Sequence, residues 1–320
     1  MHSRGSMVSK NDSAGANHPK TFVVRIKRQD GPGEPPYWHA FELAYRSNLN
    51  MISVLQEIAA HPVTIDGHRV SPPVWEASCL EEVCGSCTML VNDFVRQACS
   101  TLADEALEGH PHRGSRPIPL PQWPQRSNGP PRHRRGEITL APMTKFPVIR
   151  DLHVDRSRMF RNLERFQAWV PIDDLHDRGA GPRENRQSQE LRYALSRCMT
   201  CGCCLEACPQ FTLDNQFVGA QMFAQVLLFN LHETGKQLKA QRLELMSQAG
   251  GISDCGNAQN CVKVCPQELP LTEAIARIGQ QTMIHQARQS FSGAESGSAP
   301  LAAGNTKDGS SQEELDSSQR

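Results

Sequence analysis

The sequence predicts an α+β chain in two parts, a first half of short strands with one helix and a second half built of helices. Three observations predict it. Apolar residues alternate at every second position in the first half, they recur at helical spacing in the second, and the twelve cysteines divide between the halves. Four of them, Cys79, Cys84, Cys87 and Cys99, fall in the first half, and eight lie between Cys198 and Cys265. A length of 320 residues agrees with two domains, since single domains usually run ~100 to 200 residues. Lysine plus arginine equal aspartate plus glutamate, 34 against 34, so no basic field gathers nucleic acid and no nucleic-acid partner is expected. The longest apolar stretch, Val226-Leu227-Leu228-Phe229, is far short of the ~20 residues of a membrane-spanning helix. Met1 to Lys20 lacks the apolar core of a secretory signal and reads as a flexible tail on a cytoplasmic protein. In a reducing compartment twelve thiols point to metal or redox chemistry, not to disulfides.

Each element follows from its own pattern. Phe22, Val24 and Ile26 alternate with Val23, Arg25 and Lys27, and a second extended run, Tyr37 to Leu43, follows the turn-forming Gly31-Pro32-Gly33, predicting a hairpin. Met51, Val54, Leu55 and Ile58 form the stripe of a short helix, with Ser47 and Asn48 as candidate caps. Thr88 to Val91 and Phe94 to Ala98, joined at Asn92-Asp93, predict a second hairpin. Gly109 to Gly136 holds seven prolines, four glycines, six arginines and no acidic residue, the composition of a disordered insertion. It reads as a solvated loop or as a basic patch for anionic headgroups or a partner, because Ile138-Thr139-Leu140 resumes strand character afterwards. Helices are predicted over Arg156 to Trp169, Arg183 to Arg197, Ala220 to Leu231, Lys236 to Ala249 and Thr272 to Gln286. The fourth of these stops at Gly250-Gly251, and the last carries Ile275, Ile278 and Ile284 in a loose stripe. The expected division is a tail over 1–19, a first domain over 20–150 containing the 109–136 insertion, a helical domain over 151–290 and a tail from Phe291 to Arg320.

The cysteine spacings carry the chemistry. Cys79-x4-Cys84-x2-Cys87, followed by Cys99, matches the plant-type spacing for a 2Fe-2S cluster. Gly85 permits the backbone to turn N–H groups toward the cluster sulfurs. Four cysteine ligands exclude a Rieske centre, and a zinc site or unligated core thiols form the competing reading. Cys198-x2-Cys201-x2-Cys204-x3-Cys208-Pro209 is the bacterial ferredoxin run, whose last cysteine ligates the other cluster in two-cluster proteins. Cys255-x5-Cys261-x3-Cys265-Pro266 repeats the run with Ala258 where one ligand would stand. By counting, Cys198, Cys201, Cys204 and Cys265 hold a 4Fe-4S cluster, while Cys208, Cys255 and Cys261 are left for a 3Fe-4S cluster. Cys203 fits no slot and reads as a spare thiol.

Five stretches carry a resemblance: Ser78-Cys-Leu-Glu-Glu-Val-Cys-Gly-Ser-Cys87, Phe146-Pro-Val-Ile-Arg-Asp-Leu152, Val154-Asp-Arg-Ser-Arg-Met159, Trp169-Val-Pro-Ile172 and Ser196-Arg-Cys-Met-Thr-Cys201. Together they resemble the iron-sulfur subunit of succinate dehydrogenase and fumarate reductase, the electron-transferring subunit of respiratory complex II. The resemblance implies an N-terminal β-grasp 2Fe-2S ferredoxin domain and an all-α ferredoxin domain with two clusters. It implies partners as well: a flavoprotein whose FAD oxidises succinate, and a membrane anchor that passes electrons to quinone. The chain itself would sit peripherally on the cytoplasmic face of the inner membrane. No catalytic residue is expected on it, because it has no dicarboxylate pocket motif and no Gly-x-Gly-x-x-Gly after a strand. Where relatives reduce ubiquinone, a Trp lies five residues after the cysteine matching Cys208 and a His follows the one matching Cys255. Here those positions are Leu213 and Gly256, a departure that points to the menaquinone-linked branch with a dihaem anchor. A fumarate reductase subunit and a free-standing multi-cluster carrier are the alternative readings.

Overall fold

A computed structural model describes residues 20–108, 136–171 and 184–295. The N-terminal tail, nearly all of the Pro/Arg-rich insertion and most of the C-terminal tail lie outside the described residues. Strands β1 (Thr21–Arg28) and β2 (Tyr37–Ala44) form the expected hairpin, with Gly33 at φ 81° in its turn. Helix α1 (Met51–Ala60) buries Met51, Val54, Leu55 and Ile58 as its stripe requires. Its cap is not Ser47 or Asn48 but Asn50, whose side chain accepts the Ser53 N–H at 2.8 Å. Asn48 sits instead in the left-handed region at φ 63°. The second hairpin joins β3 (Thr88–Val91) to β4 (Phe94–Gln97). Asn92 and Asp93 at φ 54° and 64° supply the two positive angles that a type I′ turn needs.

After a short helix α2 (Ala103–Glu108), strand β5 (Glu137–Ala141) enters the middle of the sheet. The strand order is β2-β1-β5-β3-β4, with β1 and β5 parallel and the other pairs antiparallel. A small hairpin of β6 (Val148–Arg150) and β7 (His153–Val154), not foreseen in the sequence, leads out of this domain.

The second half is helical. Helix α3 (Ser157–Arg165) stops short of the expected Trp169 because Gln167 turns left-handed at φ 48°. The remaining helices are α4 (Arg186–Ser196), α5 (Cys203–Glu206), α6 (Gly219–Leu231), α7 (Lys239–Ser247), α8 (Asn260–Val264) and α9 (Leu271–Glu295). The helix expected over Lys236 to Ala249 opens as a 3-10 turn, Gly235–Leu238, before α7. Helix α9 outruns its expected end at Gln286 and takes in Phe291 to Glu295, assigned above to a disordered tail. Its buried face is Leu271, Ala274, Ile278 and Thr282, whereas Ile284 is exposed.

Two apolar cores result, one between the sheet and α1 and one within the helices. Strand β3 belongs to both: Met89 and Val91 face the first core and Leu90 faces the second. A strand covered on both faces reads as a continuous apolar run, which Met89-Leu90-Val91 is. The sheet and the helical body are therefore packed directly against each other.

Candidate iron-sulfur cluster sites

The loop before β3 is shaped by Leu80 and Glu82, both left-handed at φ 61° and 57°. Their curl points the N–H groups of Glu81, Val83 and Cys84 at the Cys79 sulfur, 3.4, 3.3 and 3.3 Å away. The Cys84 sulfur meets the Cys79 N–H at 3.5 Å and the Ser86 hydroxyl at 2.9 Å. Burial alone would raise the Cys84 thiol, but the hydrogen bonds from Ser86 and Cys79 outweigh it and bring it down to about 6. The β3–β4 hairpin sets Cys87 beside Cys99, and the Ala98 N–H donates to the Cys87 carbonyl at 3.1 Å. Burial drives the Cys87 thiol up to about 12. The four cysteines thus fall into two neighbouring pairs, Cys79 with Cys84 and Cys87 with Cys99.

A cavity in the helical body is lined by Cys198, Cys201, Cys203, Cys204 and Cys265. Its entry loop turns at Thr200 (φ 53°) and Gly202 (φ 90°) and runs into α5. Burial raises the Cys198 thiol, and Thr200 and Gln225 oppose the shift. Burial raises Cys204 well above the ordinary thiol range, and the nearby Cys201, Cys198 and Cys265 add to it. Burial lifts Cys265 to about 11. Gln221 lines the same cavity, 2 % exposed, and its Nε2 has no hydrogen-bond partner. A buried amide donor left unpaired costs ~1–3 kcal/mol, and a sulfur-rich group inside the ring of thiols is the acceptor it lacks. The residues therefore fit a cluster.

A third neighbourhood joins Cys208, Cys255 and Cys261. Burial raises Cys261 to about 11, with Cys208 and Cys255 close enough to add to it. Asn260 at the start of α8 donates to the Ala207 carbonyl at 3.1 Å, and Lys145 donates to the Cys208 carbonyl. Glu206, fully buried, accepts from the Thr144 N–H at 2.9 Å, the Thr144 hydroxyl at 2.6 Å and the Lys145 N–H at 3.1 Å. Ala258 is exposed between Asn257 and Gln259, both left-handed. A side chain at Gly256 would run into Gln210, whose Nε2 lies 2.5 Å from the place of a Cβ. Among the described residues no three His, Cys, Asp or Glu side chains meet around the position of one metal ion. A cluster spreads its thiolates over several irons, wider apart than the ~2.3 Å bonds to a single zinc would hold them.

The first and second loops abut. Gly85 is at φ 72°, and a Cβ there would lie 2.7 Å from Cys201 Cα and 3.0 Å from the Met199 carbonyl. Arg156 donates to the Gly85 carbonyl at 2.9 Å, and Gln267 donates to that of Glu82, also at 2.9 Å. Leu80, Glu82, Gln221 and Gln225 escape sequence reasoning, since nothing in a lone Leu or Gln marks a left-handed turn or a donor to sulfur. Gly85 alone carried a signal, and close packing adds a second reason for it beyond the turn.

One sulfur-bearing loop on a mixed sheet, backed by two cysteine runs in a helical body, defines an iron-sulfur protein of ferredoxin-like parts. A 2Fe-2S iron-sulfur cluster binding domain family matches residues 23–161, and a 4Fe-4S dicluster domain family matches residues 194–269. The succinate dehydrogenase iron-sulfur subunit of Bacillus subtilis is 43% identical over 272 residues, 85% of this chain and 96% of that relative. The fumarate reductase iron-sulfur subunit of Wolinella succinogenes is 29% identical over 202 residues, 62% of this chain and 72% of that relative. A chain of the Mycobacterium smegmatis Sdh1 complex in the apo form shares the fold, with a TM-score of 0.61 and 17% identity over 82% of this chain and 95% of that one. The chain belongs to the family of succinate dehydrogenase and fumarate reductase iron-sulfur subunits.

Proposed function

We propose that this chain is the electron-transferring subunit of a succinate dehydrogenase, a succinate:quinone oxidoreductase, set between an FAD-bearing flavoprotein and a membrane anchor. The observation that carries the reading is the clustering of thiols: Cys79 by Cys84, Cys87 by Cys99, Cys198, Cys201, Cys204 and Cys265 around one cavity, and Cys208 and Cys255 near Cys261. Cys79, Cys84, Cys87 and Cys99 would hold a 2Fe-2S cluster, two thiolates to each iron, on a mixed sheet of β-grasp type. Cys198, Cys201, Cys204 and Cys265 would hold 4Fe-4S, and Cys208, Cys255 and Cys261 would hold 3Fe-4S, with Ala258 offering no fourth ligand. When bound, such clusters supply one-electron carriers that divide the two-electron output of a flavin into single steps. The chain's own residues bury the thiols, aim N–H groups at their sulfurs and hold the first two loops in contact through Gly85.

The greater identity to the succinate dehydrogenase relative, 43% against 29%, favours that reading over fumarate reductase. Among the described residues no helix is long and apolar enough to cross a membrane. Gly256 and Leu213 favour menaquinone and a dihaem anchor over a ubiquinone site. Gln210 already fills the space where a side chain at 256 would point, and Leu213 is half exposed. The test is EPR of the purified complex, first with succinate and then with dithionite. Signals of three centres, at least one of them reduced by succinate, are expected. A colourless zinc protein, or centres that only dithionite reduces, would overturn the reading; ubiquinone as the sole quinone extracted would overturn the menaquinone assignment.

A further inference from the structure

The twelfth cysteine has a place in the molecule. Cys203, 1 % exposed at the start of α5, stands where the sheet meets the helical body. Across that boundary lies Gln97, the last residue of β4, also 1 % exposed. Gln97 Nε2 donates to Cys203 Sγ at 3.5 Å and to Thr88 Oγ1 at 2.8 Å, while Cys87 Sγ lies 3.6 Å from Gln97 Oε1. Thr88 in turn donates to the carbonyl of Gly85, the residue pressed against Cys201.

We infer that Gln97 and Cys203 are positioning residues that join the first cluster loop to the second by a buried hydrogen-bonded bridge, Cys87–Gln97–Cys203. This rests on the assignment of Cys87 as a ligand. A ligand thiolate at Cys87 has no proton to give, so with the cluster bound the Gln97 amide is turned the other way and the Thr88 hydroxyl donates to it. Oxygen and nitrogen of an amide occupy nearly the same space, so reversing it gives Cys87 an N–H and leaves the oxygen to accept from Cys203. That N–H is directed at a ligand sulfur through buried groups, where water cannot replace it. A donor to a ligand sulfur stabilises the reduced, more negative cluster and so raises its potential.

The experiment is a potentiometric titration of the whole complex followed by EPR, comparing parent, Cys203→Ala, Cys203→Ser and Gln97→Met. Cys203→Ala, which releases the Gln97 amide from its partner, is expected to lower the midpoint potential of the centre held by Cys79, Cys84, Cys87 and Cys99, and Cys203→Ser, which keeps a donor, to return it toward the parent. Gln97→Met removes the hydrogen bonds at nearly constant size and is expected to lower the potential of that same centre. Should Cys203→Ala fail to assemble, the serine and Gln97→Met variants carry the comparison. Unchanged potentials in variants that retain every cluster would overturn the bridge while leaving the ligand assignment intact. Absence of that centre from the parent complex would overturn both.

Discussion

Single positions set local chemistry here through what faces them. His39 on β2 is held below its ordinary range, first by burial and then by the Arg28 guanidinium, whose Nη1 lies 3.4 Å from Nδ1; Asp151 and Asp30 oppose the shift. An unfolded histidine titrates near ~6.5. As pH falls through that value the unfolded chain takes up a proton that the folded one resists, so stability present above it is lost as the solution is acidified. The thermal midpoint of the cluster-loaded chain is expected to fall between pH 7.5 and 5.5, and to fall less in His39→Gln; parallel curves for the two would contradict this. Ala258 is a second such position. Ala258→Cys supplies the missing thiolate in the run from Cys255 to Cys265, so the oxidised complex is expected to lose its 3Fe-4S EPR signal. Persistence of that signal at parent intensity would argue against the ligand set of Cys208, Cys255 and Cys261.

Among the elements, the cluster loops depend on backbone angles that the residue types do not advertise. Gly85 and Gly33 have nearly the same angle, φ 72° and 81°, but differ in surroundings. A Cβ at Gly33 meets nothing within 4 Å, whereas one at Gly85 lies 2.7 and 2.8 Å from Cys201 Cα and Cβ. Gly33→Ala therefore incurs only the left-handed conformational cost of ~1–2 kcal/mol. Gly85→Ala incurs that and must also push the two cluster loops apart, so a clearly larger drop in thermal midpoint is expected. Equal drops would show that the loops do not press on each other. The hairpins and α1 were legible because alternation, helical stripes and turn residues are local signals. The break before α7 and the hairpin of β6 and β7 were not, since both are set by what the segments pack against.

For the molecule as a whole, the connection between sheet and helices is anchored by a buried ion pair. Arg28 at the end of β1 and Asp151 in the β6–β7 turn meet at 2.8 Å with both side chains fully buried. Asp151 accepts in addition from the N–H groups of Gln29 at 3.1 Å and Val74 at 2.9 Å. Removing one charge leaves the other buried without compensation, a loss of ~3–5 kcal/mol. Asp151→Asn is thus expected to lower the thermal midpoint sharply, and Asp151→Asn combined with Arg28→Met to lower it by less than the two single losses added together. A double variant as unstable as the two single losses added together would contradict this account.

Cysteine spacing by itself divided the thiols into three expected ligand sets, because a cluster bound through one tight loop needs its thiols at fixed intervals along the chain, and five short stretches carried the resemblance to the family. Strand alternation and helical stripes likewise determined the two-part α+β plan. Only the tertiary structure decided what lies next to those thiols. It placed Gln221 in a cavity with no partner, pressed Gly85 against Cys201 and set Gln97 between Cys87 and Cys203. Gln97 and Cys203 are separated by more than one hundred residues. Such proximity arises from burying both faces of β3 between two cores, a long-range packing event that leaves no mark on the local pattern of either residue.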